Sequence, residues 1–115
     1  MRYTRLFTGK DGTSRFEDVE VPLSPEKPAP HELSVSRPIP ASAVLFGRAP
    51  AQGSHPEQPE PRRQLIIGLT GSVEVTTAHE TRVFGPAEVL LAEDLEGPGH
   101  SSRTSDGFTA AIIVL

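Results

Sequence analysis

The chain has 115 residues and a formal net charge of −4, from 11 basic and 15 acidic residues. This length fits one domain, and the acidic balance argues against a nucleic-acid partner, because phosphate binding needs a basic excess. The absence of cysteine excludes disulfides and thiolate metal sites and makes the cytoplasm the default location. No apolar run approaches the roughly 20 residues of a membrane-spanning helix, so no membrane partner is expected.

Residues 1–40 are predicted to form an irregular N-terminal arm with short strands. A strand is predicted at 14–21, where phenylalanine and valine alternate with charged residues. A second strand is predicted at 32–36. The connector between them, 22–31, contains four prolines and is predicted to be extended.

From residue 41 onward the pattern predicts a barrel of short strands. Apolar and polar residues alternate with a period of two, and glycine and proline turns recur at a spacing of roughly 8–12 residues. Residues 49–62 are polar and broken by proline, which predicts a long loop. No segment has the period of an amphipathic helix, so the predicted class is all-β. The predicted strands are 41–48, 64–69, 73–77, 81–84, 88–92, a segment that begins at His100, and 108–115.

The turns of this half contain glycines and acidic residues for which the sequence predicts structural roles. Gly71 and Gly85 are expected to adopt backbone conformations that other residues tolerate poorly. Glu93 and Asp94 lie between a strand and a turn, where acidic side chains commonly bind local backbone N–H groups. Two histidines are predicted to be exposed, His31 and His79.

Two stretches resemble the cupin superfamily, whose members are small jelly-roll barrels built as a double-stranded β-helix. The first is Q-L-I-I-G-L-T-G-S-V-E-V at 64–75, with its tight turn at Gly71. The second is R-V-F-G-P-A-E-V-L-L-A-E-D-L-E-G-P-G-H at 82–100, which opens at a glycine turn and ends at His100. The resemblance implies a single cupin-like domain over 1–115, a jelly roll of two antiparallel sheets with its barrel at 41–115.

Many cupins hold one divalent metal ion on histidines and a glutamate, so the resemblance implies iron, manganese, nickel or zinc. In this chain His100 matches the histidine of the second motif, but Gln64 occupies the position of the family's glutamate. The paired histidines expected before position 64 are absent. The remaining candidate ligands beside His100 are His55, Glu57 and Glu60. A barrel without any metal fits this incomplete set equally well.

The candidate pocket residues are Gln64, Arg63 and His100. Arg63 or its neighbour Arg62 would fix an anionic ligand by a bidentate contact if it pointed into the barrel; the alternative is a surface pair beside acidic residues. Gln64 begins an apolar strand and, if buried, needs partners, since an unpaired buried polar group costs about 1–3 kcal/mol.

Two functions fit these features about equally. In one, the barrel binds a small polar metabolite in its cavity, with or without a metal. In the other, it is a metal-dependent oxygenase or isomerase whose metal polarises the substrate. A third hypothesis is a structural or regulatory barrel with an empty cavity. Apolar faces on both sides of the segment Leu65–Leu69 predict that one sheet meets a second copy, so a homodimer is expected.

Overall fold

The computed structural model describes residues 1–26 and 33–115 and confirms the all-β class. These residues form no helix, and therefore none long and apolar enough to cross a membrane. The prediction for His31 and the adjoining parts of those for 22–31 and 32–36 lie outside the described residues. The strands are β1 (Arg2–Thr8), β2 (Ser14–Glu20), β3 (Ser24–Pro25), β4 (Ser34–Val35), β5 (Ala43–Ala49), β6 (Ser54–Gln58), β7 (Gln64–Gly71), β8 (Val73–Thr76), β9 (Thr81–Phe84), β10 (Val89–Glu93), β11 (His100–Arg103) and β12 (Phe108–Val114).

Two larger sheets form the jelly roll. The first has six strands in the order β2-β1-β10-β7-β12-β5, and the second has four in the order β6-β11-β8-β9. The structure differs from two purely antiparallel sheets in two details: β1 pairs with β10 in parallel, and β3 and β4 form a small separate ladder. β7 lies near the centre of the larger sheet, with Leu65 opposite Leu91 on one side and Ile113 on the other.

The hydrophobic core lies between the two larger sheets. Leu6, Phe16 and Leu90 from the six-stranded sheet pack with Val75 and Phe84 from the four-stranded sheet. Leu6 is fully buried, and the rings of Phe16 and Phe84 lie 6.1 Å apart between centroids. Val75, Phe84 and Leu90 of this cluster also border a cavity between the two sheets.

The N-terminal residues are more regular than the predicted arm. β1 was not predicted, and with β2 it forms an antiparallel hairpin that joins the larger sheet through the pairing of Leu6 with Ala92. The letters of β1, R-Y-T-R-L-F-T, mix charged and apolar residues without strict alternation. Its strand conformation depends on pairing with β10, which is distant in sequence.

The loop predicted at 49–62 contains a strand, and this prediction was wrong at residues 54–58. β6 pairs with β11, so that His55 lies opposite Ser102. Pro56 interrupts the sequence pattern of a strand because it has no N–H to donate. It is tolerated here because β6 is an edge strand of its sheet.

Of the two turn glycines, the structure requires only Gly71 for its conformation. Gly71 has a φ of 70°, and a Cβ there would lie 2.0 Å from the carbonyl oxygen of Gly107. Gly85 does not have a positive φ, and the nearest atom to a Cβ would be 3.7 Å away, an ordinary contact. The expectation that Gly85 needs a special conformation was therefore wrong.

Candidate functional site

A cavity of about 250 Å³ lies between the two sheets. Most of its wall is apolar and comes from both sheets. The principal apolar side chains are Ile66, Leu90 and Ile112 from the larger sheet and Val73, Val75 and Phe84 from the smaller. The polar lining includes His55, Glu60, His100 and Ser102. A more open depression of about 450 Å³ over the turns at 49–51, 70–71 and 106–107 contains none of the predicted site residues.

His100 is held by a buried carboxylate. It is the first residue of β11 and only 5 % exposed. Its Nδ1 lies 2.6 Å from Oδ2 of Asp94, which is completely buried and also accepts a hydrogen bond of 2.7 Å from the Ser14 hydroxyl. Because a carboxylate only accepts hydrogen bonds, Nδ1 of His100 carries the proton. Nε2 is then the ring nitrogen that is left for another partner.

Glu60 lies on the other side of the His100 ring, with Oε1 3.6 Å from Nε2. Its backbone N–H donates to the carbonyl oxygen of Asp94, which ties the segment before β7 to the end of β10. Its Oε2 accepts a hydrogen bond of 2.8 Å from the Gln64 amide, and Gln64 accepts one from Arg62. Burial raises the pKa of the Glu60 carboxyl, and the neighbouring Asp94 adds to this, while His100 opposes it.

His55 brings a second imidazole to the same cavity. It lies on β6, and its ring is edge-on to that of His100 with 5.2 Å between centroids. Its Nδ1 lies 2.9 Å from the carbonyl oxygen of Pro56. Since a carbonyl only accepts hydrogen bonds, Nδ1 is the donor and Nε2 is the free acceptor.

The other predicted site residues lie elsewhere. Glu57 is exposed and does not line the cavity. Arg63, predicted in the pocket, binds Glu93 at 2.8 Å, and Glu93 also binds Arg5, so Arg63 belongs to a surface network. Gln64 is buried and does not line the cavity, and it acts on the site by holding Glu60. Glu93 therefore bonds to arginine side chains rather than to local backbone.

The donor set does not fit the metal ion that the resemblance implies. Within residues 1–26 and 33–115, no group of three or more histidine, aspartate and glutamate side chains is placed so that it could hold a metal. The position of the family's glutamate is Gln64, and its amide is used in a hydrogen bond to Glu60.

Asp94 and Ser14 are the functional-site residues that sequence analysis did not identify. Asp94 was expected to bind local backbone groups, but it binds a histidine six residues further along and a serine 80 residues away. The one signal in the sequence is an acidic residue just before the turn that leads to His100. Ser14 has no such signal, because a hairpin from the N-terminus brings it to the site.

Replacing Glu60 by glutamine is expected to stabilise the fold at neutral pH. Because burial raises its pKa, the folded protein binds this proton more tightly than the unfolded chain does. The contribution of this bound proton to the stability of the fold is complete below the ordinary pKa of 4.5. It is lost as the pH rises through the raised pKa of Glu60 in the folded protein. Urea unfolding of both proteins from about pH 4 to about pH 7 measures the difference. The facing groups His55, Asp94 and His100 are common to both proteins, so a pH-independent gain would contradict the expectation.

No protein-family model matches the chain, and no curated protein sequence matches it significantly. Several solved structures, in contrast, are similar to the chain. A protein of unknown function from Rhizobium leguminosarum bv. viciae superposes with a TM-score of 0.54 at 23 % identity, over 62 % of this chain and 66 % of that one. The chain thus spans just under two thirds of that protein.

Two further structures carry the name of the fold. A cupin superfamily protein from Desulfitobacterium hafniense superposes with a TM-score of 0.51 at 17 % identity, over 77 % of this chain and 95 % of that one. The Cnp3 cupin domain of Schizosaccharomyces pombe gives a TM-score of 0.51 at 15 % identity, over 99 % of this chain and 88 % of that one. Together with the jelly roll formed by the two larger sheets, these similarities show that the chain has the cupin fold.

Proposed function

We propose that the chain binds a small polar metabolite in the cavity between its two sheets. The observation that carries the proposal is the convergence of His100, Glu60 and His55 on one apolar cavity from three separate segments. Small-molecule sites typically combine an apolar wall with a few placed polar groups. The volume, about 250 Å³, is below the range of roughly 300–1,000 Å³ for drug-sized ligands, which favours a small one.

The hydrogen bonds around the cavity support binding over a purely structural role. Asp94, which also accepts from Ser14, satisfies Nδ1 of His100, and Gln64 satisfies one oxygen of Glu60. These contacts fix the two side chains while Nε2 of His100 and Oε1 of Glu60 remain directed at each other. Groups fixed in this way are preorganised, so a ligand loses less free energy in ordering them.

A cavity-filling substitution tests the proposal. Ala110 lines the cavity, and Ala111, the next residue of β12, points to the opposite face of the sheet. We expect at least one of three one-ring probes, benzylamine, benzyl alcohol and benzoate, to shift the amide NMR signals of Gly47, Val75 and Ser102 saturably. Ala110→Leu should abolish these shifts, and Ala111→Leu should preserve them.

Two results would contradict the proposal. One is that none of the three probes shifts the cavity signals of the wild-type protein. The other is that Ala110→Leu, with a native circular dichroism spectrum, binds the probes as well as Ala111→Leu does.

We further propose that a second copy of the chain covers the outer face of the six-stranded sheet. Phe46 is 77 % exposed and Val44 64 % exposed, and both lie on β5 beside the half-buried Ile113. β5 ends the sheet, and no other strand of the described residues pairs with its free edge. Residues 43–47 are uncharged, so a second copy packed on this part of the face would meet no like charges there.

Phe46→Glu is expected to convert a dimer into a monomer, because it places two carboxylates in the proposed interface. Val83→Glu is the matched control, since Val83 is 56 % exposed on β9, the edge strand of the other sheet. Light scattering coupled to gel filtration at micromolar concentration measures the mass. A wild-type monomer, or a Phe46→Glu dimer, would contradict the proposed interface.

A further inference from the structure

The polar end of the cavity presents hydrogen-bond acceptors. Nδ1 of His100 is the donor to Asp94, so in the neutral form of the ring Nε2 is an acceptor. Nδ1 of His55 is the donor to the carbonyl of Pro56, so its Nε2 is an acceptor as well. Oε1 of Glu60 is the third, because the Gln64 amide is bonded to the other oxygen of the same carboxyl group.

Two of these atoms face each other at the polar end of the cavity. Nε2 of His100 and Oε1 of Glu60 are 3.6 Å apart, which is longer than a hydrogen bond. Both side chains are at most 10 % exposed, and neither atom makes another side-chain hydrogen bond among the described residues. One donor nitrogen at about 2.8 Å from each atom would satisfy both.

The charges around this end favour a cation. Two carboxyl groups, Asp94 and Glu60, flank the single ring of His100. Among the described residues that line the cavity, the one arginine is Arg48, and it is exposed. An anionic head group would therefore meet two buried carboxyl groups and no buried arginine among the described lining residues, which is unfavourable in a poorly solvated site.

We infer that the metabolite carries a primary amine on a compact apolar body, and that its ammonium group binds His55, Glu60 and His100. An ammonium group has three N–H donors and no acceptor, which matches three acceptors. The apolar body packs against Ile66, Val75 and Phe84. This inference rests on the proposed function and specifies the class of ligand for the same cavity.

A matched series of probes tests the head group. The apolar ring is kept constant in benzylamine, benzyl alcohol, benzoate and benzyltrimethylammonium, and dissociation constants are measured by NMR titration. We expect benzylamine to bind at least about tenfold more tightly than benzoate. Benzyltrimethylammonium has the charge but no N–H donor, and we expect it to bind at least about tenfold more weakly than benzylamine.

Substitution of Glu60 separates the effect of its charge on ligand binding from the effect of its shape. Glu60→Gln keeps the size of the side chain and removes its negative charge. Hydrogen bonds to charged groups contribute about 1.5–3 kcal/mol, so binding of benzylamine should weaken about 10- to 100-fold. Binding of benzyl alcohol should change by less than about threefold, because a hydroxyl donates to an amide oxygen as well. Urea unfolding of the same variant, described above, shows that it is folded.

The outcomes distinguish this inference from the proposed function. If no probe binds, the proposed function fails and the inference with it. If benzoate binds most tightly at the cavity signals, or Glu60→Gln leaves benzylamine unaffected, the inference fails and the proposed function stands. Calorimetric titration with zinc and manganese completes the test: stoichiometric binding that displaces benzylamine and is lost in His100→Ala would assign the three acceptors to a metal and overturn the inference.

Discussion

Replacing Asp94 by alanine is expected to lower the free energy of unfolding by about 2–6 kcal/mol, because each of two buried donors left without an acceptor costs about 1–3 kcal/mol. Asp94 is completely buried and accepts hydrogen bonds from Ser14 and His100 through one oxygen. Alanine would leave both groups buried without an acceptor. Urea unfolding followed by circular dichroism measures the change.

Asparagine at the same position is the matched control. Asp94→Asn keeps the volume and one oxygen that can accept from Ser14 and His100, so its loss should be clearly smaller. Ser14→Ala, made alone and with Asp94→Ala, gives the coupling between the two residues by a double-mutant cycle. A loss below about 1 kcal/mol for Asp94→Ala would mean that the buried carboxylate is not a central element of the fold.

The strands of the C-terminal half were predictable because each has a local signature. Residues 73–77 alternate in polarity, and glycine turns separate them from their neighbours, so β8 was predicted to within one residue. β1 and β6 lack such signatures. β1 is held by a parallel partner more than 80 residues away, as the pairing of Leu6 with Ala92 shows, and β6 contains a proline that only an edge strand tolerates.

The candidate site was predictable in its residue types and less so in its contacts. His100, His55 and Glu60 were identified, and all three line the cavity. Arg63 was placed in the pocket because it precedes an apolar strand, but its partner Glu93 lies on the adjacent strand β10 and holds it at the surface. A sequence shows which side chains can ionise, but the register of β7 against β10 decides which of them meet.

The turn before His100 provides the second large effect. Gly99 has a φ of 76°, and a Cβ there would lie 2.0 Å from the carbonyl oxygen of Gln58 and 2.2 Å from the backbone nitrogen of Pro59. These are backbone atoms of the segment that follows His55, so they cannot move aside as a flexible side chain would. The close approach of β6 to β11 at this point thus requires a residue without a side chain.

Gly99→Ala is therefore expected to lower the free energy of unfolding. The left-handed conformation of alanine accounts for about 1–2 kcal/mol of this loss, and the displaced backbone accounts for about 1–3 kcal/mol more. Gly85→Ala is the control, since its Cβ would make only ordinary contacts, and its stability should change by less than about 1 kcal/mol. Urea unfolding measures both variants, and the imidazole NMR signals of His55 and His100 report the geometry of the site. Because the clash moves β6 away from β11, those signals should shift in Gly99→Ala and stay in place in Gly85→Ala. Equal stability of the two variants would show that the backbones of β6 and β11 can separate at Gly99 without loss.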